Sequence, residues 1–288
     1  MLAVAFAVLA AALFGALALA IRSGLKRGGD PEAGALVVTG VGFLVGAALS
    51  IPELLSGISL SELWLFALIG ALVPGASQIL FILAVRDAGP SRAAILIGTA
   101  PLISVVMALV LLGEPFRPLL LVGTALIVAG GATLAGERAR PAHFRAIGAV
   151  LALACAALFA VRDNAVRWAA QDVHPPALTA SAASLLAAAA AVGLYLLVVR
   201  REGLSGKLRA ALPAFAAAGV TLGLAYASLL EAFDHGRVSI VAPLNATQSL
   251  WAVILAAVLI GRSEMIGART VFSGLLVVAG GAMISVLR

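Results

Sequence analysis

Leu126-Ile127-Val128-Ala129-Gly130-Gly131-Ala132 closes a nineteen-residue segment that Glu114 opens, and 150 positions later Glu264 opens a second segment that closes on Leu276-Val277-Val278-Ala279-Gly280-Gly281-Ala282. Six of the seven closing residues are identical. The period is about half of the 288-residue chain, and each copy ends a block of apolar segments. The chain therefore reads as two homologous halves, and the paired segments mark where each half ends.

Working outward, the chain is 63% hydrophobic and only 11% charged, about half the charge of an ordinary soluble domain. With a mean hydropathy of +1.15, it has more apolar surface than a soluble core could hide. Runs of roughly twenty apolar residues, enough to cross about 30 Å of hydrocarbon as helix, recur along its length. Charged and Pro/Gly clusters divide these runs into ten expected spans: 2–21, 34–51, 63–84, 91–112, 118–135, 145–162, 177–199, 210–231, 238–260 and 267–287. The expected fold is an all-α polytopic membrane protein of ten transmembrane helices, arranged as two five-helix repeats over residues 1–139 and 140–288. The break between them, Gly136 to Phe144, is too short for a flexible domain linker, so the halves should pack as one body.

Five spans per half is an odd number, so the second half must enter the membrane from the opposite side. The repeats are then inverted copies about a pseudo-two-fold axis in the membrane plane, an arrangement that gives one fold access to both sides. Weaker matches extend the repeat. Arg22 matches Arg167 at an offset of 145, and Leu83, Asp87 and Gly89 match Leu230, Asp234 and Gly236 at an offset of 147. Of the 19 Lys and Arg residues, fourteen fall in connections 1–2, 3–4, 5–6, 7–8 and 9–10, and five (Arg117, Arg162, Arg167, Arg237, Arg288) fall on the other side. The positive-inside bias puts the odd connections in the cytoplasm and both termini outside. The net charge of +6 sits in short connections that suit lipid headgroups rather than nucleic acid. Met1 to Ile21 lacks a basic leader and reads as a retained first span. Gly42-x-x-x-Gly46 in span 2 and Gly219-x-x-x-Gly223 in span 8 are candidate sites of close helix approach.

Polar side chains within spans are costly in hydrocarbon and tend to face a cavity, so they are the candidates for substrate binding. Span 9 offers Asn245, Gln248, Ser249 and Trp251 after Pro243, and span 4 offers Thr99 and Ser104 around Pro101. Span 3 adds Ser77 and Gln78 after Pro74, and span 8 adds Tyr226. Interhelical hydrogen bonding is the plain alternative for each. Arg162, Asp163 and Asn164 form either an ionic gate or a site with a carboxylate-binding arginine, or simply the end of span 6 with a snorkelling arginine. Glu114, Gly130, Glu264 and Gly280 are read as structural, the glutamates capping spans 5 and 10.

No Asp or Glu falls mid-span, which weighs against a proton-coupled drug pump, although Asp163 keeps that alternative open. Walker, His-Glu-x-x-His and Gly-x-Ser-x-Gly motifs are absent, and His143, His174 and His235 lack metal-ligand spacing. An intramembrane enzyme is thus a remote alternative, and neither metal nor cofactor is expected. The lone Cys155 permits no intrachain disulfide.

Gly113-Glu114 leading to Leu126-x-Val128-Ala129-Gly130, duplicated in a ten-span chain, resembles the EamA-type permeases of the drug/metabolite transporter superfamily. Gly89-Pro90-Ser91-x-Ala93-Ala94 before span 4 adds to the resemblance. The second copy departs from the pattern, because Arg262 and Ser263 separate Gly261 from Glu264. The resemblance implies a central cavity formed by spans 1, 3, 4, 6, 8 and 9, and a permease of the inner (plasma) membrane, monomeric or homodimeric. It also implies export of small polar metabolites, amino acids foremost, by alternating access. Better-known exporters of this type look oriented with cytoplasmic termini, whereas the charge count of this chain places both termini outside.

Overall fold

A computed structural model describes residues 1–56, 63–100, 102–103, 106–107, 118–135, 144–169, 175–199, 204–236, 241, 244–245, 247–259 and 267–286. The described chain is helical, with no strand among the described residues. Helices α1 (Leu2–Lys26) and α2 (Pro31–Leu55) are joined by a short turn in which the Asp30 carboxylate accepts from the Ala33 amide at 2.8 Å, capping α2 ahead of Pro31. Span 3 is split into α3 (Trp64–Gly70), a π-helical turn (Ala71–Ala76) and α4 (Ser77–Ala88). The remaining helices are α5 (Pro90–Ile97), α6 (Pro118–Ala135), α7 (Ala146–Ala169), α8 (Ala177–Val199), α9 (Leu204–His235), α10 (Gln248–Leu259) and α11 (Ala268–Val286). Five of these stretches, α1, α2, α3 through α4, α8 and α9, are long and apolar enough to cross a membrane.

Several helices overrun the expected spans. Helix α1 continues to Lys26, α9 begins at Leu204 and ends at His235, and α7 continues past Arg162 to Ala169. Charge marks where a helix meets the interface; it does not end the helix, because long cationic side chains can reach the headgroups from inside it. Large apolar side chains such as Leu44, Leu68, Leu194, Val258 and Phe272 point outward and exposed, as hydrocarbon requires and water would penalise.

Packing respects the repeat. Helix α1 packs on α9, and the matching pair α7 packs on α4; α1 on α10 is matched by α7 on α5, and α2 on α9 by α8 on α3 and the π turn. Two pairs map onto themselves, α2 with α8 and α6 with α11. Most of these contacts join one half to the other.

Small residues set two of the closest approaches. A Cβ on Gly223 would lie 2.7 Å from the Gly42 carbonyl oxygen, and one on Gly219 would lie 2.5 Å from the Val41 Cβ, so the two Gly-x-x-x-Gly faces meet each other. The twin Ala-Gly-Gly-Ala segments meet as well. A Cβ on Gly280 would lie 2.5 Å from the Gly123 oxygen, one on Gly130 would lie 2.8 Å from Val277 Cγ2, and the Ser273 hydroxyl donates to the Gly130 carbonyl at 2.6 Å.

The connections sort onto two faces. On one, Asp87 is buried in a bidentate pair with Arg86 (2.7 and 2.8 Å), the Arg145 amide donates to the Asp87 carbonyl at 2.6 Å, and Glu32 lies within electrostatic reach of Arg86. Arg27 donates to the Pro213 carbonyl at 3.5 Å on the same side. Gly89, at φ +86°, makes the turn from α4 into α5 there. On the other face the Glu53 carboxylate, near the end of α2, accepts from the amides of Leu178 (3.3 Å) and Thr179 (2.7 Å) and from the Thr179 hydroxyl (2.7 Å). It thereby caps the amino end of α8. His235 lies 3.4 Å from Glu231 and stacks near Phe6 of α1 on that face. Glu32, Arg86, Asp87, Gly89 and Arg145 thus share one face, and Phe6 and His235 share the other with Glu53 and Leu178.

Candidate functional site

A pocket opens between helices of both halves. Its walls come from Phe14 and Leu17 of α1, Val73, Pro74, Ser77, Gln78 and Phe81 of the split span, Ala94 and Ile97 of α5, Phe159 and Arg162 of α7, Leu222 and Tyr226 of α9, and Gln248 of α10. The break in span 3 explains why this wall is polar. Val73 leaves helical geometry (φ −138°, ψ 111°), and Pro74 brings no N–H to the ladder. The Tyr226 hydroxyl, from the opposite half, donates to the Val73 carbonyl at 2.9 Å and so satisfies a group that the break exposes. One turn on, Ser77 and Gln78 face the cavity, 2% and 3% exposed. The Gln78 Nε2 donor finds no hydrogen-bond partner among the described residues.

Arg162 is 8% exposed, its guanidinium carbon 4.8 Å from the centre of the Phe159 ring. It therefore lies in a pocket wall instead of among the interfacial charges where the loop count put it. Arg92 is likewise buried, at 2%. Neither contributes as a loop charge, so each side loses one residue and the imbalance persists.

Of the sequence candidates, Ser77, Gln78, Tyr226, Gln248 and Arg162 share this one pocket. Thr99, Asn245 and Trp251 are not among its lining residues. The Thr99 hydroxyl donates to the Leu96 carbonyl of its own helix at 2.6 Å. Asn245 is partly buried, with an Oδ1 that finds no partner among the described residues. Trp251 packs against α1, where a Cβ on Gly15 would lie 2.7 Å from its own. Ser104, Glu114 and Glu264 lie outside the described residues, as do the side chains of Asp163 and Asn164. Gly130 and Gly280 form the α6–α11 seam. Among the described residues no cluster of metal ligands occurs.

The two-repeat organisation has an independent counterpart. The model of the EamA-like transporter family matches the chain twice, over residues 1–135 and 146–286. The chain belongs to this family. As an EamA-like transporter it is a multi-pass membrane protein, of a family of transporters rather than enzymes. A solved protein crystal structure shares its fold, with a TM-score of 0.67 at 24% identity over 99% of this chain and 96% of that one. No curated protein matches it.

Two features of this EamA-like chain escape residue-by-residue reading of the sequence. Glu53 looks like an interfacial charge beside Pro52, and nothing local shows that it caps α8 from 125 residues away. Phe81 and Phe159 look like ordinary apolar filling, yet both line the pocket. The useful signal was Pro74 with Ser77 and Gln78 in the next turn, since polar groups beside a helix break inside a membrane tend to line a cavity.

Proposed function

We propose that this EamA-like transporter exports or exchanges small polar metabolites, amino acids foremost, by alternating access through the pocket between its halves. The observation that carries this reading is the composition of the pocket wall: six spans from both halves contribute, and Gln78, Tyr226, Gln248 and Arg162 converge where the third span is broken. Such convergence of polar groups in a mainly apolar cavity is the usual form of a small-molecule site. The symmetric exchange of helix contacts supports ten spans in two inverted repeats, divided near residues 139 and 140. In this reading the protein sits in the inner membrane with both termini outside, as a monomer or homodimer, and rocking one set of helices against the other opens each face in turn.

Counterflow in proteoliposomes with amino acids, purines and sugars, run at two pH values, tests the proposal. Gln78→Ala and Gln248→Ala should each lower flux about tenfold or more while the protein stays monodisperse. Unchanged flux in both would remove these residues from the site. Flux of organic cations that follows an imposed proton gradient would establish a drug pump instead. That outcome is disfavoured because no Asp or Glu is among the described lining residues.

A further inference from the structure

Resting on the alternating-access part of that reading, we propose that Asp87 is a latch: with Arg86 and Arg145 it holds the end of α4 against the start of α7 and keeps the pocket shut on that face. The first support is burial. Every residue from Asp87 to Ile95 is buried, although this stretch holds the turn at Gly89 and the polar side chains of Asp87, Ser91 and Arg92. Connections between helices ordinarily run over the surface, and this one is sealed inside. The second support is the tie itself, which joins the two halves. The Arg145 amide donates to the Asp87 carbonyl at 2.6 Å, the Arg145 guanidinium lies 3.9 Å from the Asp87 carboxylate, and a Cβ on Gly148 would lie 2.8 Å from that of Asp87. Arg86 holds the same carboxylate from its own helix. The third is leverage. Helix α4 carries Ser77, Gln78 and Phe81 of the pocket wall and α7 carries Phe159 and Arg162, so the spacing of these two walls is set where Asp87 meets Arg145.

The inverted copy lacks the device. An offset of 145 matches Gly148 with Ala3, and an offset of 147 matches Asp87 and Gly89 with Asp234 and Gly236. The docking contact recurs there, since a Cβ on Gly236 would lie 2.5 Å from the Ala3 Cβ. Yet Phe233 stands in the place of Arg86, and Asp234 and His235 are exposed. The repeat thus builds a docking contact on both faces and a buried ion cluster on one, which biases the protein toward the conformation closed at Asp87. Opening that face must draw Asp87 away from Arg145. Water entering there would hydrate both charges, so the cluster can break and re-form in each cycle.

The test is the rate at which a membrane-impermeant maleimide labels an introduced cysteine in vesicles of both orientations. Cys155 is buried, and the chain without a reporter serves as the blank. Ala94→Cys reports on the pocket beside the Asp87 turn, and Phe14→Cys reports on its opposite side, where Phe14 belongs with Phe6 and Phe233 to one apolar cluster. Adding Asp87→Asn should speed labelling of Ala94→Cys from the Arg145 face about tenfold or more and slow labelling of Phe14→Cys from the other, because one conformation gains what the other loses. Asp87→Glu should recover part of the difference. Arg145 has a side chain 67% exposed, so Arg145→Gln should fold, and it should act in the same direction by about threefold. Unchanged labelling of Ala94→Cys in Asp87→Asn, or in Arg145→Gln where that variant alone purifies, overturns the proposal. Faster labelling at both reporters also overturns it, since a loosened fold opens both faces together. Wild-type counterflow separates the latch from the transport reading. Flux with labelling that ignores Asp87 overturns the latch alone, whereas no flux for any probe overturns the reading on which it rests and the latch with it.

Discussion

Between Trp64 and Ala88 the third span runs as helix, π-helical turn and helix again, whereas the eighth span, which holds the same place in the second half, runs unbroken from Leu204 to His235. At the offset of 147 that aligns Asp87 with Asp234, Pro74 faces Thr221, Ser77 faces Leu224, Gln78 faces Ala225, and Ile79 faces Tyr226. Each difference has a physical outcome. Thr221 keeps a backbone N–H for the helical ladder, and its hydroxyl adds a bond to the Ala217 carbonyl at 2.8 Å, while Pro74 has no N–H to give. The broken copy presents Ser77, Gln78 and a carbonyl, and the intact copy supplies the tyrosine that satisfies that carbonyl. The two copies are therefore complementary across the pocket, and its chemistry comes from the positions where they diverge. The seam between α6 and α11 behaves in the opposite way, since there the two copies are nearly identical and pack on each other through Gly130 and Gly280.

The strongest way to break the comparison is to transfer the proline. Thr221→Pro should cost about 3 kcal/mol or more, because α9 has no π turn to absorb the missing donor, and should show as a collapse of the monodisperse fraction in detergent. Wild-type behaviour of this variant would mean that continuity does not distinguish the two spans. Next comes the aspartate pair. The Asp87 side chain is 3% exposed and held by Arg86, while Asp234 is 60% exposed with His235 at 3.7 Å. Asp87→Ala should cost about 2 kcal/mol or more and Asp234→Ala about 0.5 at most, read as thermal midpoints; equal losses would refute the asymmetry. Removing the hydroxyl in Tyr226→Phe leaves the Val73 carbonyl unsatisfied and should cost about 1 kcal/mol by the same measurement. Thr221→Ala should change the midpoint least, by the equivalent of a few tenths of a kcal/mol, because the backbone ladder persists without the hydroxyl.

Much of this architecture is legible in the sequence because it depends on patterns that repeat or run on. Apolar runs give the spans, the doubled Ala-Gly-Gly-Ala gives the halves, and Gly42, Gly219 and Gly223 of the two Gly-x-x-x-Gly pairs sit where helices α2 and α9 meet, with Gly46 against α8. Part of the pocket is legible for a similar reason, since Gln78 and Gln248 are expensive to bury anywhere else. What sequence cannot supply is the partner of each polar group. Trp251 has the residue type of a cavity lining, but α1 offers it the small surface at Gly15. Thr99 satisfies its hydroxyl within its own helix, and Pro74 marks a kink without saying that Val73 abandons helical geometry or that Tyr226 answers it. Arg162 is ambiguous in sequence because its distance from the span's start suits either an interface or a cavity. Only the helices packed against α7, chiefly α4 and α5, decide which.

The interleaving of the halves bears on how the chain is made. Helices α1, α2, α4 and α6 find their principal neighbours among α7 to α11, and the glycine faces at Gly42 and Gly130 close only on residues synthesised later. While only residues 1–135 have been synthesised, the glycine faces at Gly42 and Gly130 lack the residues they pack on, and α8 must be made before Glu53 has an amide to accept from. Sequence repeat and folding unit are thus different things in this protein. The principal helix contacts join one half to the other, so the bundle is complete only once the second half is present to pack between the helices of the first.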